Sequence, residues 1–258
     1  MKLKTLLTRH GVLLFLILLA VGVNAQTPPN DCSPATTAEE RAKHGWLHLW
    51  MYCADDVRLG RPSVDENRIV FFGDSITQGW NLNDSFPGRP YINRGISGET
   101  TTQMLVRFRQ DVIDLAPKAV NILAGTNDIA GNTGPITLKA IEDNFASMTE
   151  IAQANGVRVI LASVLPVYDY PWHKGLQPVD KIATLNSWLK NYALAHGLVY
   201  LDYYSAMQDD RHGLPPNLSR DGVHPNKDGY AVMAPLAEKA ITKALHKRMR
   251  RPKAEHSN

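Results

Sequence analysis

Four short motifs follow one another along the chain: Gly73-Asp74-Ser75, Asn93-Arg94-Gly95-Ile96-Ser97-Gly98, Gly125-Thr126-Asn127-Asp128 and Asp221-Gly222-Val223-His224. Together they hold the parts of an ester hydrolysis: a nucleophile, a base, an acid to orient the base, and donors for an oxyanion. The Asp221 carboxylate, three residues from His224, can accept a hydrogen bond from Nδ1–H and leave Nε2 free to act on a serine. Ser75 stands where an apolar run gives way to a helix through a glycine, so nearby backbone N–H groups favour negative charge there. A tetrahedral intermediate needs donors about 3 Å from its oxyanion, and Asn127 Nδ2 with the N–H groups of Gly98 and Ser75 are the candidates. Each residue alone has an ordinary role, Ser75 and Asp221 as helix caps, Asn127 and Gly98 as turn formers. Their joint occurrence in one order singles them out.

Holding these residues requires rigid elements. Apolar runs at 68–72, 119–123, 157–162 and 198–201, with a shorter one at 91–93, lack the alternation of a half-wet sheet and read as buried strands. Between them, 101–115, 136–155, 180–196 and 226–246 carry helical spacing. Strand alternating with helix implies parallel neighbours joined by crossovers, hence an α/β fold: a three-layer α/β/α sandwich with about five strands. In such sheets active residues gather at the carboxyl ends of the strands. Ser75 follows the first run, Asn127 follows the run at 119–123, and His224 precedes the last helix.

Two rival classes are disfavoured. Gly95-Ile96-Ser97-Gly98 is followed by Glu99, so the Gly-x-Ser-x-Gly elbow of α/β-hydrolases is missing and Ser97 reads as a structural turn serine. No glycine-rich phosphate loop follows the first strand, which argues against a phosphate- or flavin-binding flavodoxin relative.

The four blocks together resemble those of the SGNH hydrolase (GDSL esterase/lipase) superfamily, over about residues 68–245. The resemblance implies a flavodoxin-like parallel sheet and no cofactor. It also implies Ser75 as nucleophile, Gly98 and Asn127 completing the oxyanion hole with the Ser75 N–H, His224 as base and Asp221 as its orienting acid. The expected activity is that of a secreted serine esterase acting on short-acyl esters such as acetylated carbohydrate. The alternatives are a lysophospholipase or thioesterase taking longer acyl chains, and a non-catalytic carbohydrate-binding module on an esterase scaffold. Trp80, Tyr168, Tyr170 and Trp172 are candidate substrate contacts, able to stack on sugar rings, line an acyl groove or simply pack a loop.

Composition bounds the rest. Lys2, Lys4 and Arg9 precede an apolar run at 12–23 and small residues up to Ala25, the layout of a secretory signal peptide over 1–25. The run is short for a membrane span, although an uncleaved anchor is the competing reading. Those three cations account for the whole formal excess of +3, and the tail 247–258 is basic. The folded body therefore shows no basic face for nucleic acid. The expected organisation is a linker and helix over 26–67, with the helix at 38–51, a hydrolase domain over 68–246 and a flexible tail. A solvated terminus is the plain reading of that tail, contact with acidic lipids or glycans the other. Cys32 and Cys53, in an exported chain, either form a disulfide or are buried thiols, and two cysteines do not complete a metal site. The ligand expected is a small-molecule or glycan ester, with the protein exported to the periplasm or outside the cell.

Overall fold

Five strands hydrogen-bond side by side into one parallel sheet of order β2-β1-β3-β4-β5. They are β1 (Ile69–Gly73), β2 (Tyr91–Gly95), β3 (Ala119–Leu123), β4 (Arg158–Ala162) and β5 (Val199–Leu201). The computed structural model describes residues 48–247. The expected signal segment 1–25, Cys32, most of the expected helix 38–51 and the tail from 248 onward lie outside the described residues. The part of 38–51 that is described runs as irregular chain and turn, and the first described helix, α1 (Cys53–Leu59), starts after it.

Residues of β1 alternate between two cores, as the period of a strand demands. Val70 and Phe72 pack with Val120, Ile122, Val159 and Leu161 under α4 (Thr101–Phe108), α6 (Leu138–Ala154) and α7 (Val179–Ala195). Ile69 and Phe71 pack with Leu123, Ile160, Val199 and Leu201 under α9 (Lys227–His246), through Met233, Ala237 and Ile241. Both faces of the sheet are therefore covered, giving the three-layer α/β/α sandwich expected of uninterrupted apolar strands. The expected helix 101–115 is α only to Phe108 and continues as a π-turn over Arg109–Ile113.

Register decides where the functional segments emerge. Gly73 lies opposite Gly95 on one side and Leu123 on the other, so three strands end level with one another. The chain then enters α2 (Ser75–Gln78), the turn 96–100, and α5 (Thr126–Ile129) respectively. Gly95 is small because α2 lies directly on it: a Cβ there would stand 2.2 Å from Gln78 N and 2.7 Å from Asp74 O. β1 is flanked by β2 and β3, and the chain reverses its direction of winding beside it, the place where such sheets open a crevice.

Candidate active site

Ser75 is the first residue of α2, its helix capped by Asp74, whose Oδ1 accepts from Ile76 N–H at 2.9 Å. Its Oγ lies 2.9 Å from His224 Nε2, and His224 Nδ1 lies 2.6 Å from Asp221 Oδ2. The second oxygen of Asp221 accepts from the backbone N–H groups of His224 at 2.8 Å and Val223 at 3.0 Å. Partial burial works against ionisation, but these bonds and the His224 side chain outweigh it and hold Asp221 at about 2. The carboxylate is thus ionised wherever the imidazole needs it. Ser219, which sequence reasoning did not single out, ties this loop together. Its Oγ accepts from Gly222 N–H at 3.0 Å and points its proton between His224 O at 2.7 Å and Asp221 Oδ1 at 3.1 Å.

The candidate oxyanion donors sit at the neighbouring strand ends. Gly98 adopts φ +80, and among the described residues neither its N–H nor that of Ser75 has a hydrogen-bond acceptor. Asn127, on α5, is buried and gives one of its two amide protons to Glu99 O at 2.9 Å. Glu99 follows Gly98 directly, so this bond joins the two donors to one another.

Beneath them lies a buried ionic block. Arg107 donates through Nε to Glu99 Oε2 at 2.6 Å and through NH1 to Asp111 Oδ2 at 2.7 Å. Its NH2 donates to Gly73 O at 3.1 Å, two residues before Ser75. Burial pushes Glu99 and Asp111 upward, with Arg107 opposing the shift in both. His48 Nδ1 meets the other Glu99 oxygen at 3.0 Å. Asp74 is also buried; burial pushes it up to about 7, against the Ile76 N–H and the charge of His224 nearby.

Among the aromatic candidates only one faces the site. Trp172 is 47 % exposed, with its ring centroid 6.1 Å from that of His224. Trp80 is instead a core residue at 2 % exposure, edge-on to Phe71 at 5.5 Å and stacked on Tyr230 at 5.3 Å. The single turn of α2 is too short to carry it along the cleft, and it folds down onto the sheet. Tyr170 is buried as well, its hydroxyl donating to Thr126 O at 2.9 Å, so it supports Trp172 from behind at 5.2 Å. Tyr168 is exposed under the Arg211 guanidinium, which lies 5.0 Å from its ring. Cys53 is not a free thiol. Among the described residues no group of three or more His, Cys, Asp or Glu side chains is arranged to hold a metal, and no helix is long and apolar enough to cross a membrane.

Comparison with known proteins locates this arrangement. A model of the GDSL-like Lipase/Acylhydrolase family matches residues 71–232. A candidate acylhydrolase from Bacteroides fragilis NCTC 9343 is 43% identical, superimposes with a TM-score of 0.75, and covers 78% of this chain and 98% of its own. A GDSL-like lipase from Bacteroides thetaiotaomicron VPI-5482 is 41% identical at a TM-score of 0.75, covering 77% and 99%. The lipoprotein YqeF of Bacillus subtilis (strain 168) is 29% identical over 120 residues, 39% of this chain, and the match spans 49% of that lipoprotein's length.

Proposed function

The chain belongs to the GDSL-like lipase/acylhydrolase family, a family of ester hydrolases, and from that membership we propose that Ser75 cleaves carboxylic esters through an acyl-enzyme. His224 Nε2 takes the Ser75 proton, Oγ attacks the carbonyl, and the oxyanion is held by the N–H groups of Ser75 and Gly98 and by Asn127 Nδ2. The alcohol leaves with the proton from His224, and water repeats the sequence on the acyl-enzyme. One observation carries this reading: the unbroken run of hydrogen bonds from Ser75 Oγ to His224 at 2.9 Å and on to Asp221 at 2.6 Å.

For the substrate we favour short-acyl esters of a ring-bearing alcohol, such as acetylated carbohydrate. His224 delivers its proton to the leaving oxygen, so a wall beside His224 flanks the alcohol half of the ester. The half-exposed indole of Trp172 supplies an apolar face of the kind that stacks on a sugar ring. A second reading, hydrolysis of longer acyl chains, is favoured by a cavity of about 440 Å³ bordered by Asp128 and lined by Ile129, Pro135, Ile136, Leu138 and Leu176. The signal pattern at 1–25 supports export, to the periplasm or beyond the cell, and a Cys32–Cys53 disulfide is compatible with that compartment.

Hydrolysis of p-nitrophenyl acetate by the mature protein beside Ser75→Ala, with circular dichroism of both, tests the mechanism. Activity lost in a folded variant is the expected result; equal rates in the two proteins overturn it. A p-nitrophenyl series of increasing acyl length then separates the substrate readings, with a maximum at acetate expected.

A further inference from the structure

Asn127 has a weakness as an oxyanion donor. The two ends of a carboxamide are nearly the same size and opposite in polarity. Rotated by half a turn, the same side chain would aim its oxygen at the oxyanion and repel it. Something must therefore read the polarity of this amide from both ends.

One end is read by Glu99 O, which accepts from Nδ2 at 2.9 Å. At the other end stands Asn132, whose Nδ2 donates to Asn127 Oδ1 at 2.8 Å and, more distantly, to Gly98 O at 3.4 Å. Asn132 cannot itself rotate without loss, because its Oδ1 accepts from Trp172 Nε1 at 3.3 Å, and an indole N–H only donates. Polarity is thus passed from the indole through Asn132 to Asn127. The links end in the hole on one side and at the aromatic wall beside His224 on the other.

The backbone is folded to bring the two asparagines together. α5 closes with Ala130 as its cap residue, followed by Gly131 at φ +74. Gly131 N–H donates to Asp128 O and Asn132 N–H to Asn127 O, both at 3.0 Å. This is the paired closure of a Schellman motif, in which a left-handed residue lets the chain double back over the last turn. It sets Asn132 over Asn127 through the main chain, and the side-chain bond follows. Asn132 is itself exposed, so its side chain adds little to packing and its bonds serve orientation.

On the reading of Ser75 as nucleophile, we infer that Asn132 is a positioning residue that fixes the donor orientation of the Asn127 amide and couples the oxyanion hole to Trp172. The inference adds to the proposed site a residue that touches neither substrate nor nucleophile.

The test compares wild type, Asn132→Ala, Asn132→Asp and Ser75→Ala for kcat and KM on p-nitrophenyl acetate, for Tm, and for inhibition by phenylboronic acid. That inhibitor forms a tetrahedral adduct with a serine and places an oxygen in the hole. Asn132→Ala should lower kcat about tenfold, the effect of losing one orienting hydrogen bond, with KM and Tm near wild type. Asn132→Asp should cost more, roughly a hundredfold, because a carboxylate turns an acceptor toward Asn127 Oδ1 and favours the wrong orientation. Its loss should shrink as the pH is lowered and the new carboxyl is protonated. Boronate affinity should weaken by the same factors as kcat. Two folded Asn132 variants with wild-type kcat and boronate affinity, beside an inactive Ser75→Ala, overturn this inference alone. An active Ser75→Ala overturns the proposed nucleophile, and with it the frame in which the inference stands. Should Asn132→Asp fold poorly, Gly131→Ala, strained at its left-handed position, is expected to lower kcat in the same direction as Asn132→Ala; wild-type kcat there also counts against the inference.

Discussion

The two halves of the candidate site are built in opposite ways. Ser75, Gly98 and Asn127 emerge from level strand ends and stand over Arg107, Glu99 and Asp111, whose side chains are 0%, 0% and 1% exposed. Asp221 and His224 sit on a loop outside the sheet, 39% and 38% exposed, and hold each other through bonds within a six-residue stretch that includes Ser219. The first half is woven into the fold, while the second is a local device carried by it. Damage to the first should therefore appear in stability or in the position of donors; damage to the second should appear in rate with the fold intact.

His224→Ala is the sharpest probe of the contrast. It should lower kcat by roughly four to six orders of magnitude while leaving Tm near wild type, and a large fall in Tm would break the contrast. Arg107→Met goes the other way. It strands two buried carboxylates, which costs about 3–5 kcal/mol of stability, read as a shift in urea midpoint, and kcat per folded molecule should fall less than in His224→Ala. Asn127→Ala lies between the two: a loss of roughly a hundredfold to a thousandfold in kcat, with a fall in unfolding midpoint smaller than that of Arg107→Met, since it leaves Glu99 O without its partner.

The smallest expected effect is a pH slope. Asp74 has an ordinary value of 3.8 and is raised to about 7 in the fold. Between those values the native state binds more protons than the unfolded state, so stability falls as pH rises from about 4 to 7 and levels off above. Asp74→Asn, which keeps an oxygen to accept from Ile76 N–H, should flatten the profile of Tm against pH over that window. A slope unchanged in the variant would assign it elsewhere, with Asp56, also raised to about 7 mainly by burial, the first candidate.

The fold was readable where burial alone decides structure. β1, β3, β4 and β5 are apolar runs covered on both faces, and their positions follow from that. β2 reads short, as 91–93, because it ends in Arg94 and Gly95. Arg94 is buried by pairing with Asp55 and Asp56 of α1, a partnership no local pattern announces. α1 buries none of its residues and so has no apolar stripe to find. Within the candidate site, Ser75, Asp221 and His224 were legible from order and spacing, and they meet within hydrogen-bond distance. The surrounding groups were not. Ser219 and Asn132 are common polar residues in loops, defined only by what the fold sets beside them. Trp80 and Tyr170, candidates for substrate contact, are buried instead, because an aromatic side chain near a motif in sequence can turn to the core as readily as to solvent.

The level ending of β1, β2 and β3 also says which changes in chain length the protein can absorb. One residue added inside a strand advances everything beyond it by about 3.3 Å and turns its side chains to the opposite face. A single insertion in β2 would therefore carry Gly98 out of step with Ser75 and Asn127 even if every named residue were kept. Residues added after Gly134, past the turn that returns Asn132 to Asn127, leave all three strand ends where they are. Length variation among relatives of this chain should accumulate in such loops and be absent from the three strands, so that the sheet acts as a ruler and the loops as free text.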